Sequence, residues 1–158
     1  MIFVECKPDC VLVWSITGIS KREIRHAGNK PRVCKELERR RNCRGLVDED
    51  PWSVQPSYLR RMVIVEDLSS FGIKILYDES RGNCLVVLCP RLEEWVLEAV
   101  REAKIDLRRY GLPRGVDRFH REINVGLVKF ERLISDLKGH SERIEKLRKS
   151  LEWKSKND

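Results

Sequence analysis

The chain has 158 residues, of which 41% are hydrophobic and 36% charged, with a net charge of +7. The length and apolar content argue against disorder and fit one domain with its own core, and no apolar run approaches the roughly 18 residues of a membrane span. With no signal-peptide pattern either, we expect a cytoplasmic protein. The positive charge favours phosphate-rich partners such as nucleic acid, although it does not identify one.

Strand and helix patterns alternate through the first third of the chain. An apolar strand is predicted at residues 2–4, followed by a helix that Asp9 caps and Gly18 ends. A second strand, a helix with Pro31 in its first turn and a third strand ending at Asp48 follow; they are predicted at residues 23–26, 32–41 and 45–47. This order indicates a parallel sheet with right-handed crossovers.

The middle of the sequence is harder to interpret. Residues 56–72 are predicted as a helix, with a strand at 62–65 as the alternative. Two strands, at residues 73–77 and 84–88, are predicted on either side of a hairpin loop at 78–83.

The last third is predicted to be helical. An apolar stripe along residues 92–103 indicates one helix, and Asn124 is expected to cap a last long helix. That helix carries an apolar seam with alternating spacings of three and four, formed by Phe130, Leu133, Leu137, His140, Ile144, Leu147 and Leu151. The seam fits a helix docked on its own domain, and it also fits a homodimer or a surface for a partner protein.

These elements together predict an α/β fold. The sheet is expected to be mostly parallel with helices on both faces, followed by a C-terminal helical extension. The α/β core is placed at residues 1–90, and the helices that pack on it or form an oligomer or partner surface at residues 91–158.

Three acids are placed by this scheme at one edge of the sheet. Glu5 follows the first strand and Asp48 ends the third, and ligands of parallel sheets bind at the carboxyl ends of strands. If the chain stays extended, Asp50 leaves on the same side as Asp48, and Glu49 points away. Carboxylate oxygens are the ligands that Mg²⁺ prefers, so Glu5, Asp48 and Asp50 are the candidate metal ligands.

The same residues carry a family resemblance. "VECKPD" (Val4 to Asp9), followed some forty residues later by "LVDED" (Leu46 to Asp50), resembles the Toprim domain of topoisomerases, primases and OLD-type nucleases. "VLCPRLEEWV" at residues 87–96 is similar to a helix entry of stand-alone Toprim-like proteins.

The resemblance implies a Rossmannoid fold and a function. Glu5 would match the family's glutamate, which acts as general acid or base or helps to hold metal, and Asp48 and Asp50 would match its Mg²⁺ ligands. Glu93 would add an acid near the site. The chain departs from the family pattern at Cys6, where glycine is usual, and at Pro51, where longer loops are common.

Two functions are therefore open. The first is Mg²⁺-dependent phosphoryl transfer on nucleic acid, most simply as a nuclease, with Mn²⁺ as a substitute metal. The second is a non-catalytic adaptor that binds nucleic acid or a partner protein. The sequence does not distinguish DNA from RNA.

Candidate phosphate-binding residues come from a basic stretch and from the first motif. They are Lys7, Arg39, Arg40, Arg41 and Arg44. Each also fits an ordinary solvated lysine or helix face.

Trp52 either packs in the core or stacks on a base, and packing is the favoured interpretation. The six cysteines lack zinc-finger spacing and are expected to be free thiols, and the three histidines are scattered.

Overall fold

The protein is described by a computed structural model that covers residues 1–156. Within this range a single sheet has six strands, which are β1 (Ile2–Val4), β2 (Ile24–His26), β3 (Arg44–Asp48), β4 (Val63–Leu68), β5 (Ile73–Asp78) and β6 (Asn83–Leu88). Their order across the sheet is β2-β1-β3-β6-β5-β4. The strands β2, β1, β3 and β6 are parallel, whereas β5 and β4 are antiparallel to their neighbours. The predicted mostly parallel α/β sheet is confirmed.

Six α-helices lie within residues 1–156. They are α1 (Lys7–Thr17), α2 (Lys30–Arg39), α3 (Leu92–Glu102), α4 (Val116–Val125), α5 (Leu127–Leu137) and α6 (Glu142–Leu151). A large apolar core lies between one face of the sheet and the five helices α1, α3, α4, α5 and α6. A smaller core lies between the other face and α2. Helices therefore cover both faces, as predicted, and the C-terminal helices share the larger core with the sheet.

The first helix begins differently from the prediction. Cys6, with φ −140° and ψ 170°, is the residue that precedes the first turn, so the expectation that Asp9 caps α1 is wrong. Asp9 lies in the first turn, and its carboxylate accepts the backbone N–H of Cys6 at 3.0 Å. Gly18 ends the helix with a left-handed φ of 71°, a conformation that glycine adopts without steric cost.

The predicted helix over residues 56–72 is also wrong. Ser57–Arg61 forms a 3-10 helix, and β4 follows it, so the alternative of a strand around residues 62–65 is correct. Three consecutive β-branched residues, Val63, Ile64 and Val65, favour the strand. They lie at the open edge of the sheet with exposed fractions of 64%, 54% and 40%.

The single long C-terminal helix is wrong as well, because α5 and α6 are separated by residues 138–141. Asn124 lies inside α4, and Gly126 precedes α5. The apolar seam residues other than His140 are buried in the larger core of the chain itself. These residues are therefore not free to form the homodimer or partner seam.

Positions 157 and 158 of the predicted C-terminal part lie outside the described residues. Within the described chain, no helix is long and apolar enough to cross a membrane.

Candidate functional site

Four carboxylates come together at the carboxyl edge of the sheet. β1 and β3 are parallel neighbours with Val4 opposite Leu46, so Glu5 and Asp48 leave the sheet at the same edge. Asp9 is in the first turn of α1, and Glu93 is in the first turn of α3. Asp9 and Glu93 are both buried.

Backbone donors hold these carboxylates in place. Glu5 Oε2 accepts the backbone N–H of Asp48 at 2.7 Å, which ties the end of β1 to the end of β3. Asp48 Oδ1 accepts the backbone N–H of Leu92 at 3.0 Å and so satisfies a free donor at the start of α3. Asp9 Oδ2 accepts the Cys6 thiol as well as its backbone N–H. The acids are thus part of the framework at this edge.

Burial and mutual repulsion raise the pKa values of these carboxyls. Burial is the main cause for Asp48, and the charges of Asp9, Glu5 and Glu93 add to it, so that its pKa rises to about 9. Burial also raises the pKa of Asp9 to about 7, with Glu5 and Glu93 contributing. The pKa of Glu5 is raised by burial and by Asp50, although hydrogen bonds from backbone N–H groups and the charge of Lys30 oppose the rise. The carboxyls at this edge therefore keep their protons to higher pH than free carboxyls do.

The chain turns after Asp48 and does not stay extended. Asp50 has a left-handed φ of 36°, and its backbone N–H donates to Pro90 O at 2.8 Å. Aspartate tolerates this conformation better than most residues. The charge of Asp50 still acts on Glu5, whereas Glu49 faces β5, where Lys74 Nζ lies 3.1 Å from its carboxylate. Glu49 therefore points toward β5, but the extended backbone from which Asp50 is predicted to leave beside Asp48 is not observed.

A buried lysine that sequence reasoning does not single out secures this loop. Lys30 begins α2, and its Nζ donates to Glu49 O at 2.6 Å, to Gln55 Oε1 at 3.2 Å and to Ser53 Oγ at 3.3 Å. Its positive charge also lowers the pKa of Glu5. The basic stretch that begins at Lys30 has the pattern of a helix face, and nothing in its spacing marks one lysine as buried.

The departure from the Toprim pattern at Cys6 is compatible with the backbone. An extended φ of −140° is open to any residue, so no glycine is required at this position. Burial and the neighbouring Asp9 raise the pKa of the Cys6 thiol far above its usual range, which keeps it from acting as a thiolate nucleophile. All six cysteines are free, as expected.

Two further side chains at this edge are exposed. Lys7, the first residue of α1, is exposed beside Glu5 in the chain. Trp52, two residues after Asp50, is 96% exposed, so the interpretation that it packs in the core is wrong.

A histidine lies next to the acids although the sequence shows only scattered histidines. His120 Nδ1 is 2.6 Å from Glu93 Oε1, and the two residues line a cavity of about 420 Å³ together with Arg91 and Arg121. The resemblance suggests Glu93 as an additional acid. The contact of α3 with α4 that brings His120 to it has no signal in the sequence.

The predicted phosphate-binding arginines lie at the opposite edge from the acids. Arg39 ends α2 and Arg40 follows it, Arg41 Nη1 donates to Ser80 O at 3.0 Å, and Arg44 begins β3. Helix α2 begins at the acidic edge with Lys30 and spans roughly 15 Å, so its last turn lies near the other ends of the parallel strands. Of the five predicted residues, only Lys7 is near the acids.

The donor chemistry of the site fits Mg²⁺, but the ligands are not preassembled. Carboxylate oxygens suit a hard cation, and a cation would relieve the repulsion that raises the pKa values of Asp48 and Asp9. Over residues 1–156, however, no three His, Cys, Asp or Glu side chains converge closely enough to bind a metal ion. Side-chain rotation would be needed to bring Glu5, Asp48 and Asp50 onto one ion.

Comparisons with known proteins supply no family for the chain. No protein-family model matches it, and neither a curated protein nor a solved structure does. The Toprim resemblance therefore depends on the short motifs and on their places in the strand order.

Proposed function

We propose that the protein is a Toprim-like, Mg²⁺-dependent phosphodiesterase that acts on nucleic acid. The observation that supports this most is that Glu5 and Asp48 lie together at the carboxyl edge, with the charge of Asp50 acting on Glu5, and that burial and repulsion raise the pKa of both Glu5 and Asp48. A bound cation would stabilise the ionised form of these carboxylates, and it could in turn bind a phosphate.

In this proposal Asp48 and Asp50 would hold Mg²⁺, with Glu5 as a further ligand or as the proton carrier, and the ion would supply positive charge that offsets the charge developing on the phosphate. Water attacks phosphorus as the bond to the leaving oxygen breaks, and the proton that the water loses balances the one that the leaving oxygen takes up. Glu5 can relay this proton, because burial raises the pKa of its carboxyl above the usual value. Lys7 is exposed at this edge to contact a phosphate, and Trp52 is exposed to stack on a base.

The test is cleavage of labelled DNA and RNA by the double variant Asp48→Asn with Asp50→Asn. Asparagine keeps the side-chain oxygen that accepts the Leu92 N–H, so the fold should persist. We expect Mg²⁺-dependent cleavage by the native protein and a loss of at least about a hundredfold in the variant. The matched control replaces two exposed acids, Glu66→Gln with Glu79→Gln, and should cleave normally. Undiminished cleavage by the first variant would contradict the proposed site.

The second candidate function is a non-catalytic adaptor for nucleic acid. One observation favours it: no three metal-binding side chains converge within residues 1–156. Salt-sensitive binding of nucleic acid by a native protein that shows no metal-dependent cleavage would support the adaptor over the enzyme.

A further inference from the structure

A basic groove, distinct from the acidic edge, runs between the edge strand β2 and helix α2. Its cavity of about 540 Å³ is lined by five basic side chains and one acid. The basic residues are Arg25, Arg32, Lys35, Arg39 and Arg40, and the acid is Glu36. Three of these bases, Arg25, Arg32 and Lys35, are outside the predicted phosphate-binding set, and three residues of that set, Lys7, Arg41 and Arg44, do not line the groove.

The bases are arranged as a row. Arg32, Lys35 and Arg39 are spaced by three and four residues on α2, so they lie on one face and recur about every 5.4 Å. All three are exposed, as is Arg25 on β2. Arg40 is exposed as well, pairs with Glu36 at 3.0 Å and lies 5.4 Å from the centre of the Phe3 ring. The one acid is thus already paired, and the other four exposed bases line the groove.

This arrangement selects the chemistry of the ligand. A row of evenly spaced bases, mostly arginine, matches an anion whose charges also recur evenly, as phosphates do along a nucleic-acid strand. An acidic peptide would need several apolar anchor points, but of the two large apolar side chains in the lining Phe3 is only 3% exposed, which leaves Met1, at 43%, as a single anchor. The groove is open to solvent, and its volume of about 540 Å³ suits a short stretch of one nucleic-acid strand rather than a duplex.

We propose that this groove binds the sugar-phosphate backbone of single-stranded nucleic acid, without a metal ion and without base readout. One end of the groove, at Ala27 and Arg32, is close to Lys30, which holds the loop after Asp48. A nucleic-acid strand that leaves the groove at that end runs toward the acidic edge. The binding stands by itself, whereas the delivery of a strand to Asp48 rests on the proposed phosphodiesterase function.

The test is fluorescence anisotropy of labelled single-stranded DNA and RNA in EDTA, titrated with salt. The groove variant is Lys35→Glu with Arg39→Glu. The matched control is Arg108→Glu with Arg109→Glu, which makes the same charge change at exposed positions that do not line the groove. We expect the groove variant to bind at least tenfold more weakly. The slope of its log affinity against log salt concentration should decrease by about 0.7 for each phosphate that the groove no longer neutralises, while the control stays within about twofold of the native protein.

The outcomes separate this proposal from its alternatives. If both variants bound nucleic acid equally weakly, or if the native protein did not bind it, the proposal that the groove binds nucleic acid would be overturned. Tighter binding of a duplex would overturn the single-strand assignment, and equal competition by polyglutamate would point to an acidic protein. Binding that the groove variant weakens, by a native protein that shows no cleavage, would sustain the groove proposal while rejecting the phosphodiesterase.

Discussion

Asp48 is a residue whose ionised form costs the fold free energy. Its carboxyl is buried, and Asp9, Glu5 and Glu93 surround it with like charge, so that its pKa rises to about 9. In the unfolded chain an aspartate has a pKa of about 3.9. The folded state therefore binds the proton more tightly, and Asp48 lowers stability progressively as the pH rises from about 4 toward about 9.

We expect Asp48→Asn to stabilise the protein in EDTA, and to do so more at pH 8 than at pH 5. Asparagine removes the charge and keeps the acceptor for the Leu92 N–H. The melting temperature, followed by circular dichroism, should rise by several degrees at pH 8 and by less at pH 5. Glu66→Gln on β4 is an exposed control and should show little change. An equal gain at both pH values would mean that the charge of Asp48 is not the cause.

At the scale of elements, Asn83 joins the start of β6 to α2 and to the chain before β3. Its Oδ1 accepts the backbone N–H of Cys43 at 3.0 Å, and its Nδ2 donates to Leu37 O at 2.6 Å and Arg40 O at 3.1 Å. Tyr58 Oη lies 3.2 Å from the same Nδ2 and donates to Asp78 Oδ2 at 2.7 Å. One fully buried amide thus serves several elements at the amino edge.

Replacing Asn83 by alanine should lower the free energy of unfolding by about 2–4 kcal/mol, because several buried backbone groups lose their partners together. Urea denaturation measures this change directly. Asn124→Ala is the matched control, since Asn124 is exposed and its amide donates to His120 O within its own helix. It should cost less than about 1 kcal/mol. Similar losses at the two positions would contradict the role given to Asn83.

Local signals predict most elements, and they fail where local and tertiary preferences differ. The parallel strands and the hairpin are predictable because their apolar runs are bounded by clear turn residues. The seam in the last third can be interpreted as one helix because α5 and α6 keep the same apolar spacing. The break at residues 138–141 is fixed by Ser141, whose hydroxyl accepts the Ile144 N–H at 3.2 Å. That cap can be recognised only once the chain is known to bend there.

Across the whole molecule, acidic and basic groups are divided between regions of the sheet. Glu5 and Asp48 can be placed together from sequence because the ends of parallel strands share an edge. His120 and Lys30 cannot be placed near the acids from sequence. The position of His120 depends on helix packing, and that of Lys30 depends on a loop that folds back over it. The basic groove is not predictable as a groove either, since Arg25 on β2 joins the bases of α2 only after the sheet has formed.

The open edge at β4 has a consequence for how the protein behaves at high concentration. This edge, whose pairing with β5 shifts register between Ile64 and Glu66, exposes Val63, Ile64 and Val65 and offers unpaired backbone groups and apolar side chains to another molecule. We expect Ile64→Lys to reduce concentration-dependent self-association, measured by light scattering, with a stability change below about 1 kcal/mol. Val125→Lys adds the same charge at an exposed position on α4 and should have less effect. Equal effects would point to net charge alone. If β4 is the cause, the edge strand, rather than the overall charge, limits how concentrated a dispersed solution of this protein can become.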